Sequence, residues 1–242
     1  MRVGAFIFLS RWQYLFVWGW DMEYAFHVLN KLATDGVAMA FDELLKTDLS
    51  KKLSPKAFRD KTEPYCRAEV NAFQKAFDGD FTKQPVVVCI GSDLAIGDSL
   101  GPITGSMLKY KTQGLGVFIY GTLSAPITAK EIKYMRTFLK ETHAGSQIIA
   151  IDAAVGAEGD IGLLKLSNAP LSPGAGANKK LGSIGDISVM GIVAEKSVAN
   201  YGLFNTTRLN LVYSMSEIVS NALAQVLWNR QKPLDNTNQG VL

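Results

Sequence analysis

The stretch VVVCIGSDLAIGDSLGP, Val86 to Pro102, sets a short apolar run against a turn that carries two aspartates. Val86 to Ile90 is almost wholly apolar and β-branched, the texture of a strand buried on both faces of a parallel sheet. A helical pattern follows from about Leu100 to Tyr110. GVFIY (Gly116 to Tyr120) and QIIAI (Gln147 to Ile151) repeat the strand texture, and a second helical pattern lies between them at Ala129 to Glu141. Strand and helix alternating in this way is a βαβαβ unit.

The turn itself resembles a nucleotide loop until its charges are read. A phosphate loop needs G-x-x-x-x-G-K-[ST], but five residues separate Gly91 and Gly97, and Asp98 replaces the lysine. A dinucleotide fingerprint counted from Gly91 places Asp93 and Ile96 where its second and third glycines belong. Phosphate would be repelled. The glycines let the backbone turn sharply, and Asp98 or Ser99 can cap the helix that begins near Leu100.

Outward from this unit the texture changes. Downstream, Ile161 to Ser167 and Asp186 to Val193 read as further strands, joined by a segment too rich in glycine and proline to be regular. Arg208 to about Gln231 carries one apolar helical face, and the tail beyond is expected to fray. Upstream, apolar residues from Phe26 to Leu44 recur at helical spacing, so Met22 to Leu45 is expected to be one amphipathic helix with Gly36 as its weak point. A second, shorter helix is expected to end near Phe77. The expected organisation is a helical extension over 1–80, an α/β domain over 81–232 and a tail over 233–242.

The first twenty residues are aromatic and apolar, but Arg11 splits them, so no uncharged run reaches the roughly 18 residues of a membrane span. Three readings fit them: a membrane-surface anchor, a helix packed on the domain, or translated sequence upstream of a start at Met22. The last two are preferred. A chain of 242 residues with 48% hydrophobic and 19% charged residues can build one sizeable core. Its net charge of +3, with basic residues scattered along the chain, gives no nucleic-acid footprint. Two cysteines, Cys66 and Cys89, make neither a disulfide framework nor a zinc site and fit a reducing, cytoplasmic setting.

In an open α/β sheet ligands bind beyond the carboxyl ends of the strands. Asp93 and Asp98 follow the first strand of the unit, Asp152 follows the third, and all three therefore converge on one edge. Each has a local alternative: a turn former at Asp93, a helix cap at Asp98, a strand-end turn at Asp152. Together, two close carboxylates in a partly dry cleft cannot both ionise easily, so one holds a proton when the other does not. Such a pair can activate water and protonate a leaving amine. No G-x-S-x-G elbow and no obvious cysteine–histidine pair competes with it. Hard divalent ions also suit oxygen ligands, but His27 is expected in the N-terminal helix and His143 at the opposite sheet edge, which disfavours a metal triad containing histidine.

The blocks CIGSDLAIGDSLGP, YGTLSAPI, IAIDAAVG, SPGAGANKKLGSIGDISVMGIV and NTTRL, in that order, resemble the YyaC-type sporulation proteins, a family related to the spore germination protease. The resemblance covers about Pro85 to Leu227. It implies a three-layer α/β/α sandwich with a mostly parallel central sheet, of the phosphorylase/hydrolase-like kind, shared with the germination protease and the hydrogenase maturation endopeptidases. It implies catalytic roles for Asp98, in Asp98-Ser99-Leu100-Gly101-Pro102, and for Asp152, in Ala150-Ile151-Asp152-Ala153. The glycine-rich basic segment Pro173 to Lys180 is similar to one in the germination protease, which makes Gly174, Asn178 and Lys179, with Asp93, candidates to contact substrate; a solvated surface loop is the alternative. In the hydrogenase enzymes the positions of Asp98 and Asp152 look like metal ligands completed by a histidine, and this sequence offers none in the comparable downstream region. The expectation is a metal-free and cofactor-free aspartate pair acting on a protein or peptide, with small basic spore proteins as the substrate class that the resemblance implies, in the cytoplasm of a sporulating cell or spore. A catalytically silent peptide-binding relative is the alternative.

Overall fold

A computed structural model describes residues 14–18, 21–46, 85–174, 181–196 and 207–230 of the chain. Its seven strands are β1 (Tyr14–Trp18), β2 (Asp21–His27), β3 (Val86–Cys89), β4 (Phe118–Tyr120), β5 (Ile148–Gly156), β6 (Leu163–Ser167) and β7 (Ile187–Glu195). The helices are α1 (Ala33–Leu45), α2 (Leu100–Lys111), α3 (Ile132–Thr142) and α4 (Leu209–Arg230). The strands form one sheet in the order β1-β2-β6-β7-β5-β3-β4. Only β1 and β6 run against the other strands, since each pairs antiparallel with its neighbours while β7, β5, β3 and β4 pair in parallel.

The β-branched run Val86 to Ile90 does what its texture requires. Val87 and Cys89 face one core with α1, α2 and α4, while Val86, Val88 and Ile90 face a second with α3. Both faces are therefore covered, as the three-layer α/β/α expectation demands. The larger core joins Phe41 and Leu44 of α1, Leu100 and Leu108 of α2, and Met215 and Leu223 of α4, all fully buried. Each such side chain contributes about 1.5–3 kcal/mol of transfer free energy.

Helix α2 is tied to α4 by a buried polar contact as well. Ser216 Oγ donates to Leu100 O at 3.2 Å, and Thr104 Oγ1 donates to the same carbonyl at 2.7 Å. Ser216→Ala leaves that carbonyl satisfied by Thr104, so urea unfolding is expected to show a loss of only about 1 kcal/mol.

The upstream expectation needs correction. Met22 to Leu45 is not one helix: Asp21–His27 is a strand that pairs antiparallel with β6, and the helix begins only at Ala33. The reason is tertiary. Phe26 packs into the same core as Val37 and Phe41, so a strand and a helix each bury part of what had suggested one continuous apolar stripe, while Leu29, in the turn between them, is exposed. The second expected helix, with Cys66, and the tail from 233 lie outside the described residues, as do Asn178 and Lys179.

Candidate active site

The strand order creates the site. From β3 the chain crosses through α2 on one face to β4 at the sheet edge, and from β4 it returns through α3 on the other face to β5, on the far side of β3. The connections leaving β3 and β5 therefore diverge, and a crevice opens between their carboxyl ends, the usual ligand position in such sheets. Asp98 comes from the loop after β3 and Asp152 from β5, one residue beyond the last pairing of β5 with β3, Cys89↔Ile151.

The loop after β3 is fixed by its own backbone. Gly91 has φ of 141°, and a Cβ there would meet Asp98 O at 2.0 Å. That close approach accompanies the Ser92 N–H to Asp98 O hydrogen bond of 3.0 Å, which closes the loop into a ring. A one-turn 3-10 segment, Ile96–Asp98, ends the ring and packs against β5. Ser99 takes the N-cap position of α2, but its side chain makes no cap bond; the hydroxyl donates instead to Ile96 O at 2.7 Å. Asp98 stands one residue outside the cap position and is half-buried.

Asp152 is placed differently from its expectation. It does not follow the strand but lies inside β5, opposite Met190 of β7. The strand continues because β7 goes on pairing after β3 has turned away. Asp152 is half-buried, and its carboxyl is held well above the ordinary carboxylate range, first by burial and second by the Asp98 charge beside it. The Ala153 N–H, which donates to Asp152 Oδ1 at 2.8 Å, opposes that shift. Asp98 and Asp152 are thus within electrostatic reach of each other. Over a range of pH, Asp152 keeps a proton that an ordinary aspartate would have lost.

The other candidates are not brought to the pair in the same way. Asp93 is exposed on the loop and makes no hydrogen bond or ion pair among the described residues. Gly174 is half-buried where the described part of its segment ends, just after the Leu171↔Ile184 bridge. His143 caps the end of α3, where its Nε2 lies 2.8 Å from the Tyr120 hydroxyl and burial lowers its pKa.

His27 corrects its expected place. It ends β2 opposite Leu163, which puts it on the carboxyl-end rim, three strands and about 14 Å from β5. Leu29 N–H donates to its Nδ1 at 3.1 Å, so Nε2 carries the proton and donates to Ile161 O, also at 3.1 Å. Both ring nitrogens are engaged by backbone. The histidine that a hydrogenase-type metal set would require is therefore not supplied by His27, and among the described residues no three His, Cys, Asp or Glu side chains are spaced to hold a metal ion.

A shallow groove of about 370 Å³ lies elsewhere, between the end of α2 and β4, lined by Lys109, Gln113, Phe118 and Tyr120 among others. None of the candidate carboxylates lines it. Among the described residues no helix is long and apolar enough to cross a membrane.

Residues 62–222 match a family described as "Protein of unknown function (DUF1256)". "Uncharacterized protein YyaC" of Bacillus subtilis (strain 168) is 39% identical over 142 residues, which span 59% of this chain and 69% of that protein. The crystal structure of a NiFe hydrogenase maturation protease HycI from Thermococcus kodakarensis KOD1 superposes with a TM-score of 0.40 at 16% identity, covering 65% of this chain and 99% of that one. So slight a likeness bears on no step of the chemistry.

Proposed function

We propose, for a chain that belongs to the DUF1256 family, that Asp98 and Asp152 form the acid–base pair of a peptidase. What carries this is the convergence of Asp98, from the turn after β3, and Asp152, from β5, at the sheet edge where the topology puts ligands, with burial and the Asp98 charge raising the Asp152 carboxyl above the ordinary range. Two carboxyl groups with separated proton affinities divide acid and base work between them. Asp98 accepts a proton from water as its oxygen attacks the peptide carbonyl carbon. Asp152 gives its proton to the leaving nitrogen as the C–N bond breaks. Transfer of the proton from Asp98 to Asp152 restores the pair.

The resemblance to YyaC-type and germination-protease sequences supports a protein or peptide substrate, with small basic spore proteins as the finer reading, and a setting in the cytoplasm of a sporulating cell or spore. Asn178 and Lys179 remain proposed substrate contacts, and Asp93 and Gly174 join them. The second reading is a silent peptide-binding relative. Purified protein incubated with a mixed peptide pool separates the two: new amino termini found by mass spectrometry support the enzyme, and capture of peptides without new termini supports the binder. Loss of cleavage in chelator, restored by added metal, would overturn the metal-free form of the mechanism.

His27 supplies an internal control. Because both its nitrogens serve backbone groups, His27→Ala is expected to cost about 1–2 kcal/mol in urea unfolding and to leave cleavage within about twofold. A loss of cleavage without loss of stability would return His27 to the site.

A further inference from the structure

Strand β5 is nine residues long, but β3 accompanies it only from Ile148 to Ile151. On the other side β7 pairs with it from Ile149 to Gly156, with a register shift between Ala154 and Val155 in which β7 carries the extra residue, Val193. The stretch Asp152 to Gly156 is therefore paired on one edge alone, and no other strand or bridge takes its second edge among the described residues. All five of its residues are half-buried, so the edge lies in a recess that solvent reaches.

The direction of the free groups can be derived. In a parallel ladder alternate residues of a strand turn both N–H and C=O to the same neighbour. Ile151 O accepts from Ile90 N–H at 2.7 Å, so Ile151 faces β3, and Ala153 and Val155 face the space that β3 has vacated. Gly156 agrees, since its carbonyl accepts from Lys196 N–H on the β7 side at 2.7 Å. The Ala153 N–H is taken by Asp152 Oδ1, which leaves Ala153 C=O and the N–H and C=O of Val155 along the open edge. The 3-10 turn carrying Asp98 packs against β5 and closes the inner end of the recess.

An unpaired edge of this kind is a template for another strand. We infer that the open edge of β5 binds an extended polypeptide segment as an added strand, held by its main chain at Ala153 and Val155 and so placed with one peptide group against the carboxylate pair. Recognition through backbone hydrogen bonds selects for conformation more than for sequence, and Ala153, Ala154 and Gly156 add little bulk beside the edge. The substrate class is thus an unfolded or disordered stretch of chain, not a folded surface. This rests on the peptidase reading for the fate of the bound peptide, but the docking needs no turnover.

The test uses the full chain and fluorescein-labelled, unstructured decapeptides. The best binder from the pool is resynthesised with a single N-methyl group at each backbone nitrogen in turn, and anisotropy and cleavage are read on every member. Expected is a loss of roughly tenfold in affinity at alternate positions across four or five residues, with little loss between them, because each methyl removes one backbone donor. Val155→Pro, which removes the protein's own donor, is expected to lose a similar factor while Val155→Ala does not. Alternation in binding without cleavage keeps the strand docking and removes the peptidase reading. Cleavage with no alternation removes the docking alone, and so does a pool in which no peptide binds.

Discussion

Asp152→Asn is expected to lower peptide cleavage by about a thousandfold while making the folded protein more resistant to urea at neutral pH. Asparagine keeps the volume and can still accept the Ala153 N–H through its side-chain oxygen, but it has no proton to give to a leaving nitrogen. The stability half of the prediction follows from the direction of the shift. The folded Asp152 binds its proton more tightly than the ordinary carboxyl of pKa 3.8 does, so between the two values the folded state holds more protons than the unfolded one. Its contribution is most favourable below the unfolded value and is lost as pH rises through the raised folded value. The variant has nothing to lose in that window, so the difference in urea midpoint between variant and wild type should widen with rising pH and then level off. Asp98→Asn, by removing the second cause of the shift, should lower the Asp152 titration followed by carboxyl-carbon NMR. A variant that loses activity together with stability would mark Asp152 as a structural residue and withdraw the mechanism.

Gly101→Ala is the second large effect, and here two terms oppose. In a helix interior alanine is better than glycine by about 1 kcal/mol. At this place in α2, however, a Cβ would lie 2.0 Å from Ile90 O and 2.7 Å from Ile90 N, both backbone atoms that no side-chain rotation can move. Overpacking a core usually costs about 1–3 kcal/mol, occasionally more, and a contact this short belongs at the upper end. The net expectation is a destabilisation of at least about 2 kcal/mol in urea unfolding. Relief requires the helix to lift from the end of β3, which moves the Asp98 turn, so any folded variant should also lose cleavage. An alanine variant as stable as wild type would show that helix and strand do not meet this closely.

Much of this arrangement could be read from residue order. Val86 to Ile90 and Ile149 to Ile151 announced themselves because a strand covered on both faces must be apolar at every position, whereas Phe118 to Tyr120, at the sheet edge with Phe118 exposed, was marked by its aromatic and β-branched residues. Asp98 and Asp152 were legible because β3 and β5 are parallel neighbours and both residues fall at or just beyond the point where their pairing stops. What stayed hidden depends on partners distant in the chain. Asp21 to His27 alternates polar and apolar residues, but seven residues of period two are outweighed by a helical stripe that runs on through Phe26, Val37 and Phe41. The length of β5 was equally obscure. Ala153 to Gly156 looks like a small-residue turn and becomes strand only because β7 continues beside it. That overhang is also where the proposed peptide edge lies, and a hint was present in the lack of any polar residue between Asp152 and Gly156.

The pairing of β2 with β6 has a consequence for how the chain comes to its final form. Glu23 meets Ser167 across an interval of 144 positions, and α1 rests on α4, the last element described. Synthesised before β6 and α4, the strand and its helix cannot take their places in the sheet and the core until those later elements have emerged, so their docking is a late step of high contact order. Until then a bare strand edge and the apolar side of α1 stay available to chaperones or to neighbouring nascent chains.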